Sequence, residues 1–128
     1  MADIKGKKVI IVEDDNFFIS LVSKKLNAGG LMALSASDGK SGVELIKKEM
    51  PAVVILDIML PDMDGFEILK KIKEDPVTRP IPVVFLSNLG SREDVQKGKE
   101  LGAYSFLIKA TVTMDEVLQE VSKIILAS

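Results

Sequence analysis

Four short runs of apolar, mostly β-branched residues recur along the chain and constrain its fold more than any other feature. They occupy residues 9–12, 53–56, 81–86 and 104–108, and a weaker fifth run at 31–36 lies between the first two. Three of the four strong runs are continuously apolar, which is typical of strands buried on both faces of a parallel sheet. The sequence therefore predicts a parallel sheet that is covered on both sides.

Segments with the spacing of amphipathic helices separate these runs. In the last of them, a Thr113-x-x-Glu116 capping box precedes one apolar stripe, formed by Met114, Val117, Leu118, Val121, Ile124 and Ile125. Shorter stripes occupy three earlier segments: Phe18, Leu21, Val22 and Leu26; Val43, Leu45 and Ile46; Ile68, Leu69 and Ile72. The segment at 91–101 has few large apolar residues behind its capping signal Ser91-x-x-Asp94, so we expect it to be the least firmly packed helix.

Strand and helix patterns thus alternate five times, which predicts an α/β fold with a doubly wound, five-stranded parallel sheet. At 128 residues the chain has the length of a single domain, and we expect one domain over residues 1–128 without a separate effector domain. In such folds ligands bind beyond the carboxyl ends of the strands. The residues at those ends are therefore the candidates for function.

Composition excludes several kinds of chemistry. The chain has no cysteine and no histidine, which removes disulfide frameworks, thiol nucleophiles, imidazole catalysis and the usual zinc sites. Its 17 basic and 19 acidic residues nearly balance, which argues against nonspecific binding to nucleic acid or to an acidic membrane. With no signal-peptide core and no membrane-length apolar segment, we expect a cytoplasmic protein.

Polar residues follow the apolar runs at four of the five predicted strand ends. They are Glu13-Asp14-Asp15 after the first, Asp57 after the third, Ser87 after the fourth and Lys109 after the fifth. Each alone could be structural, and Asp15 or Asn16 could simply cap a helix. Gathered at one edge, however, three carboxylates repel one another unless a cation lies among them, and oxygen ligands without histidine or cysteine favour Mg²⁺. A metal, a lysine, a hydroxyl and a nucleophilic carboxylate together suit a phosphoryl group.

Two other motifs are too incomplete to assign. Gly39-Lys40-Ser41 resembles the end of a phosphate-binding loop, but the first glycine of that loop is replaced by Leu34. The segment Asp62-Met63-Asp64-Gly65 lacks the ligand spacing of a calcium loop, so Asp64 is expected to cap the following helix.

Four segments together resemble the receiver domain of two-component response regulators, the family of the bacterial chemotaxis response regulator. They are Val-Ile-Ile-Val-Glu13-Asp14-Asp, Leu-Asp57-Ile-Met-Leu-Pro61-Asp-Met-Asp-Gly65, Val-Val-Phe-Leu-Ser87 and Gly102-Ala-Tyr-Ser-Phe106-Leu-Ile-Lys109. The likeness extends from residue 8 to about residue 126. It implies a flavodoxin-like fold with strand order 2-1-3-4-5.

The resemblance also implies a role for each residue at the metal and phosphoryl site. Asp57 would accept the phosphoryl group from a sensor histidine kinase or a histidine phosphotransfer protein. Asp14 and Asp57 would bind Mg²⁺, with Glu13 acting through water and Met59 through its backbone carbonyl. Lys109 would pair with a phosphoryl oxygen.

The implied output is a conformational switch. Ser87 would hydrogen-bond the phosphoryl group, and Phe106 would turn inward when this hydroxyl moves, although Phe106 could equally be a plain core aromatic. The domain would then act on a downstream target protein, as a signalling domain rather than an enzyme, with no direct contact to nucleic acid or membrane, and as a monomer or a weak phosphorylation-dependent dimer.

The chain departs from the family pattern at three places. Ala110 replaces the usual proline after the lysine, which predicts a trans peptide bond or a strained link. Asn88 is larger than the residue usually found beside the site. Met59 and Leu89 offer no polar group for positioning a hydrolytic water, so we expect slow loss of the phosphoryl group.

Three other functions remain as alternatives. A phosphatase of the haloacid-dehalogenase type uses a second aspartate two residues after its nucleophile, where this chain has Met59. A flavin carrier of similar topology needs a hydroxyl- and glycine-rich loop after the first strand, where this chain has acids. A degenerate receiver would lack one of Asp14, Asp57, Ser87 and Lys109, and all four are present.

Overall fold

The computed structural model describes residues 3–128, and within them five strands alternate with five helices. In chain order these are β1 Lys8–Val12, α1 Asn16–Ala28, β2 Met32–Ala36, α2 Gly39–Glu49, β3 Val53–Leu56, α3 Gly65–Glu74, β4 Val83–Ser87, α4 Arg92–Glu100, β5 Ser105–Ile108 and α5 Met114–Ala127.

All strand pairs are parallel, and the sheet order is β2-β1-β3-β4-β5. The predicted doubly wound, flavodoxin-like α/β fold is confirmed. β1 pairs Val12 with Leu56 of the central strand β3, and β3 in turn pairs Leu56 with Phe85 of β4. The carboxyl ends of the strands therefore lie side by side along one edge of the sheet.

Separate cores cover the two faces of the sheet. On β1, Val9 and Ile11 face a core shared with α1 and α5, while Ile10 and Val12 face a core shared with α2 and α3. All residues of β3 and β4 are buried, as expected for strands covered on both faces. The helix stripes predicted from the sequence face these cores, and the α5 stripe buries Val117, Val121, Ile124 and Ile125.

Four of the five strands have boundaries one or two residues away from the sequence prediction, and the differences at β4 and β5 have a physical reason. β4 begins at Val83 rather than at residue 81, because Pro82 has no N–H to donate and joins the ladder only through its carbonyl, which accepts from Val54 N. Tyr104 lies outside β5 with 51% of its surface exposed, and the residues of β5 are only half-buried. The reason is that β5 forms an edge of the sheet.

Side-chain caps fix the start of every helix, next to the strand ends. Asp15, Asp38, Asp64, Ser91 and Thr113 each accept hydrogen bonds from the first turn of the following helix. The capping box of Thr113 and Glu116 is confirmed. α4 is the least firmly packed helix, as predicted, because Gly98 is its single buried residue.

The other edge of the sheet is partly closed by a side chain. β2 pairs only with β1, and the N–H of Ala33 donates to the side-chain oxygen of Asn27 over 3.0 Å. Among the helices of residues 3–128, none combines the length and the apolar character required to cross a bilayer.

Candidate functional site

The polar residues predicted at the strand ends do lie along one edge of the sheet. Glu13 directly follows β1, Asp57 follows β3, Ser87 is the last residue of β4, and Lys109 follows β5. The ladder continues beyond the strands, since Asp57 N donates to Val12 O and Lys109 N donates to Ser87 O, both over 3.0 Å. The strand register thus fixes the backbone beneath these side chains.

Three carboxylates form a cluster at this edge. Glu13, Asp14 and Asp57 each place one carboxylate oxygen within 4.8 Å of the others. Glu13 and Asp57 are buried, whereas Asp14 is exposed. Mg²⁺ binds oxygen at about 2.1 Å, so opposite ligands in its octahedron lie about 4.2 Å apart. The all-oxygen cluster therefore fits a small hard cation after slight movement of the side chains.

The ammonium group of Lys109 already lies among these acids. Its Nζ forms an ion pair with Glu13 and a second with Asp57 Oδ2, at 3.2 Å. The sequence predicted that a divalent cation is needed to hold the acids together. In the structure, the lysine supplies part of that positive charge itself.

Burial and ion pairing shift the pKa values of Glu13 and Lys109. Burial raises the pKa of the Glu13 carboxyl above its usual range, against the opposing effects of its bonds to Lys109 and to Asp15 N. Burial also acts to lower the pKa of Lys109, but the pairs with Glu13 and Asp57 outweigh it and the pKa is raised. Lys109 is therefore a permanent cation at neutral pH.

The loop after β3 holds Asp57 against the sheet. Asp57 Oδ1 accepts a hydrogen bond of 2.7 Å from Ile58 N, and Ile58 O accepts one of 2.7 Å from Gly65 N. A Cβ atom on Gly65 would lie 2.9 Å from Ile58 Cα, so only glycine allows this close approach. Met59 projects from the loop with 65% of its surface exposed.

Ser87 lies at the same edge but is not bonded to the acids. It is buried, and its Oγ accepts a hydrogen bond of 3.3 Å from Leu89 N. Among the hydrogen bonds within residues 3–128, none joins the Ser87 hydroxyl to Asp57 or to Lys109, and Ser87 meets Lys109 only through the backbone ladder. The peptide bond after Lys109 is trans, as expected for Lys109-Ala110, because the described residues contain no cis peptide bond.

Phe106 belongs to a row of aromatic rings beneath α4. Its ring centroid lies 5.4 Å from that of Phe85, which lies 5.3 Å from that of Phe66. Gly98 of α4 lies against Phe85 and Phe106, and a Cβ there would be 3.5 Å from the nearest atom of Phe106. The half-buried Phe106 ring thus packs between β5 and the least firmly packed helix.

Two contacts, one at the site and one in the loop that follows Asp57, were not predicted from the sequence. Phe18 of α1, assigned there to a core-facing stripe, presents its ring to Lys109 Nζ, which lies 4.5 Å from the ring centroid. Asp62, in the loop after β3, accepts hydrogen bonds from Gly39 N and Lys40 N at the start of α2. Both contacts join distant parts of the chain, and no local pattern in the sequence signals them.

Comparison with known proteins identifies a family for this chain. The model of the response regulator receiver domain matches residues 9–122. Sporulation initiation phosphotransferase F of Bacillus subtilis is 32% identical, over 92% of this chain and 93% of its own length. Response regulator PleD of Caulobacter vibrioides is 37% identical over 80% of this chain. The chain spans only 22% of PleD, and it likewise spans well under half of other curated relatives that it matches.

Solved structures agree with the sequence relatives. The chemotaxis protein CheY4 of Vibrio cholerae superposes with a TM-score of 0.86 at 28% identity, over 93% of this chain and 98% of its own. Domains of this family receive phosphate from histidine kinases, bind Mg²⁺ at an acidic site and act on downstream targets in two-component signalling. The family match over nearly the whole chain, together with the acids and lysine at one sheet edge, shows that this chain belongs to the response regulator receiver domain family.

Proposed function

We propose that this chain is a stand-alone response regulator of a two-component phosphorelay, which accepts a phosphoryl group on Asp57. The donor is a sensor histidine kinase or a histidine phosphotransfer protein. The observation that carries the proposal is the meeting of Asp57, Glu13, Asp14 and Lys109 at one edge of the sheet. Because the chain contains no histidine, the proposal assigns the donor histidine to the partner.

Phosphoryl transfer requires a nucleophile and neutralisation of the phosphoryl oxygens. A carboxylate oxygen of Asp57 attacks phosphorus, a P–O bond forms, and the P–N bond of the phosphohistidine breaks with its electron pair leaving on the imidazole. Lys109, already 3.2 Å from Asp57 Oδ2, then pairs with a phosphoryl oxygen. Asp14, Asp57, the Met59 carbonyl and, through water, Glu13 would hold Mg²⁺, which would supply further positive charge there.

The signal is a shift between two arrangements of the domain. Ser87 is buried beside the site, and its hydroxyl hydrogen is free to donate to a phosphoryl oxygen after a small movement. Phe106 lies beneath α4, where that movement is transmitted to a weakly packed helix. A downstream target protein reads the change.

We infer that the domain acts by docking on proteins rather than by binding nucleic acid or membrane. The net charge of −2 argues against nonspecific attraction to phosphate backbones. The relative sporulation initiation phosphotransferase F, matched over 93% of its length, supports action without an effector domain. We propose a cytoplasmic protein that is a monomer or a weak phosphorylation-dependent dimer.

The geometry favours this function over a phosphatase of the haloacid-dehalogenase type. Such an enzyme needs an acid two residues after its nucleophile to protonate the leaving group. That position holds Met59, whose side chain is apolar and largely exposed. The chain therefore has no group there to assist turnover of an external phosphate ester.

Incubation with acetyl phosphate and Mg²⁺ tests the proposal. Intact mass spectrometry should show one added phosphoryl group on the wild type and on Asp75→Asn, a control at the far end of α3, but none on Asp57→Asn. An unmodified wild type, or an adduct that persists in Asp57→Asn, would overturn the proposal.

A further inference from the structure

The ammonium group of Lys109 has an aromatic neighbour as well as its two acids. Its Nζ lies 4.5 Å from the centroid of the Phe18 ring, within the range of a cation–π contact. Only 13% of the lysine side chain is exposed. Because Glu13, Asp57 and Phe18 surround the ammonium group, little water reaches it, and the attraction to the ring face is stronger than it would be in solvent.

The ring of Phe18 is held in place independently of the lysine. Phe18 lies in the first turn of α1, where Asp15 Oδ1 accepts hydrogen bonds from the N–H groups of Phe17 and Phe18, at 3.0 and 3.2 Å. Its ring packs against the core between the sheet, α1 and α5. By contrast, the neighbouring Phe17 is 73% exposed. Phe18 is therefore a fixed surface against which a flexible lysine can rest.

The partners of Lys109 change during the proposed reaction, but Phe18 does not. Asp57 becomes phosphorylated, and Glu13 would also help, through water, to hold the metal ion. Lysine is a compact charge on a flexible four-carbon chain, so weakening both ion pairs would let its ammonium group move into solvent. The aromatic face keeps attracting the charge throughout, because no charge or bond of the ring is altered.

We propose that Phe18 is a positioning residue, which holds the ammonium group of Lys109 at the carboxyl edge for pairing with the phosphoryl group. This inference rests on the proposed phosphorylation of Asp57. It assigns to the ring a role that requires an aromatic face, and a leucine or methionine of similar bulk cannot fill it.

A spectroscopic measurement tests the contact without any reaction. In the wild type, the ring current of Phe18 should shift the ε-methylene protons of Lys109 upfield in NMR spectra. Phe18→Tyr should keep this shift, and Phe18→Leu and Phe18→Met should lose it. Phe17→Leu, which removes the adjacent exposed ring, is the control and should leave the shift unchanged. An ε-methylene resonance that is the same in wild type and in both aliphatic variants would overturn the contact.

The rate of phosphorylation by acetyl phosphate tests the positioning role of Phe18. A small donor is used because substitutions in α1 could otherwise change how a kinase docks. Phe18→Leu and Phe18→Met should be phosphorylated about tenfold more slowly than wild type, from the strength of a shielded cation–π contact. Phe18→Tyr and Phe17→Leu should stay within about twofold of wild type, since the ring that faces the lysine is kept.

The outcomes separate this inference from the proposed function. Equal rates for wild type and the aliphatic variants, or an equal loss in Phe18→Tyr, would overturn the positioning role while the function stands. A wild type that takes up no phosphoryl group would overturn the function and with it the role of Phe18, although the NMR shift would still report the contact.

Discussion

Asp62 accepts hydrogen bonds from Gly39 N at 2.7 Å and from Lys40 N at 2.9 Å, so the loop after β3 is joined to the first turn of α2. Asp38 caps the same helix by accepting from Ser41 N. Two carboxylates therefore share the free N–H groups at one helix start. The loop that they anchor contains Met59 and follows Asp57, the proposed phosphoacceptor.

Replacing Asp62 should make stability depend on pH in a specific way. The bonds from Gly39 and Lys40 lower the pKa of the Asp62 carboxyl below its usual value. A carboxyl with a lowered pKa in the folded state adds stability above its unfolded pKa and loses it as the pH falls through the folded value. Asp62→Ala should therefore melt at a lower temperature than wild type at neutral pH, and the difference should shrink in acid. Thermal unfolding across this pH range measures it.

The control for Asp62→Ala is Glu44→Gln, which neutralises an exposed acid on α2, the helix that Asp62 contacts. Its melting temperature should follow that of wild type across the pH series. A constant difference between Asp62→Ala and wild type from neutral to acid pH would show that the charge of Asp62 is irrelevant.

Lys109→Met should leave two buried acids without their cation. Removing one partner of a buried ion pair costs about 3 kcal/mol in the free energy of unfolding. Because burial already raises the pKa of Glu13, this loss should be largest at neutral pH and should diminish as acid protonates the carboxyl. Added Mg²⁺ should stabilise Lys109→Met more than wild type, since the ion then meets acids with no competing lysine.

Chemical denaturation at several pH values, with and without Mg²⁺, measures this effect. Lys99→Met, on the exposed face of α4, is the control and should change neither the pH dependence nor the response to Mg²⁺. A Lys109→Met protein as stable as wild type at neutral pH in the absence of Mg²⁺ would contradict the prediction.

The same substitution at two glycines should give different results. In Gly65→Ala the new methyl group meets the backbone of Asp57 and Ile58, which cannot move aside, and we expect a loss of about 2 kcal/mol in the free energy of unfolding. In Gly98→Ala it meets the ring edge of Phe85 at 3.3 Å, and the higher helix propensity of alanine offsets the tighter contact to within about 1 kcal/mol. Urea unfolding of both variants makes the comparison, and a larger loss for Gly98→Ala would contradict it.

Met59→Asn should shorten the life of the phosphorylated form. Met59 and Leu89 are both partly exposed near the site and carry no hydrogen-bonding group. An amide at position 59 can orient a water molecule for attack on phosphorus, so dephosphorylation should be faster than in wild type. Met50→Asn, at an exposed methionine after α2, is the control. Phosphoryl loss followed by intact mass is the measurement, and an equal or longer half-life in Met59→Asn would contradict the expectation of slow loss in wild type.

Much of the fold follows from the sequence, because strands buried on both faces and helix caps have strong local patterns. The residues of β3 and the capping box of Thr113 lie where they were predicted. The register of parallel strands then brings Glu13, Asp57 and Lys109 to one edge, so the members of the site could also be predicted.

What the sequence could not supply are contacts between side chains far apart in the chain. Lys109 pairs with Glu13, 96 positions away in the sequence, and Asp62 bonds to Gly39, 23 positions away. Such contacts depend on side-chain directions in the packed molecule rather than on spacing. For this reason the sequence predicted a divalent cation among the acids and Lys109 as a further positive charge, but not the ion pair of Lys109 with Glu13, and it placed Phe18 only in an apolar stripe.

The bond from Ala33 N to the side chain of Asn27 bears on how copies of this chain meet one another. Ala33 lies on β2, an open edge of the sheet, where an unpaired N–H invites a strand from another molecule. With that N–H already occupied, a strand arriving at this edge forms an interrupted ladder. This interruption disfavours the joining of sheets from two copies along the β2 edge.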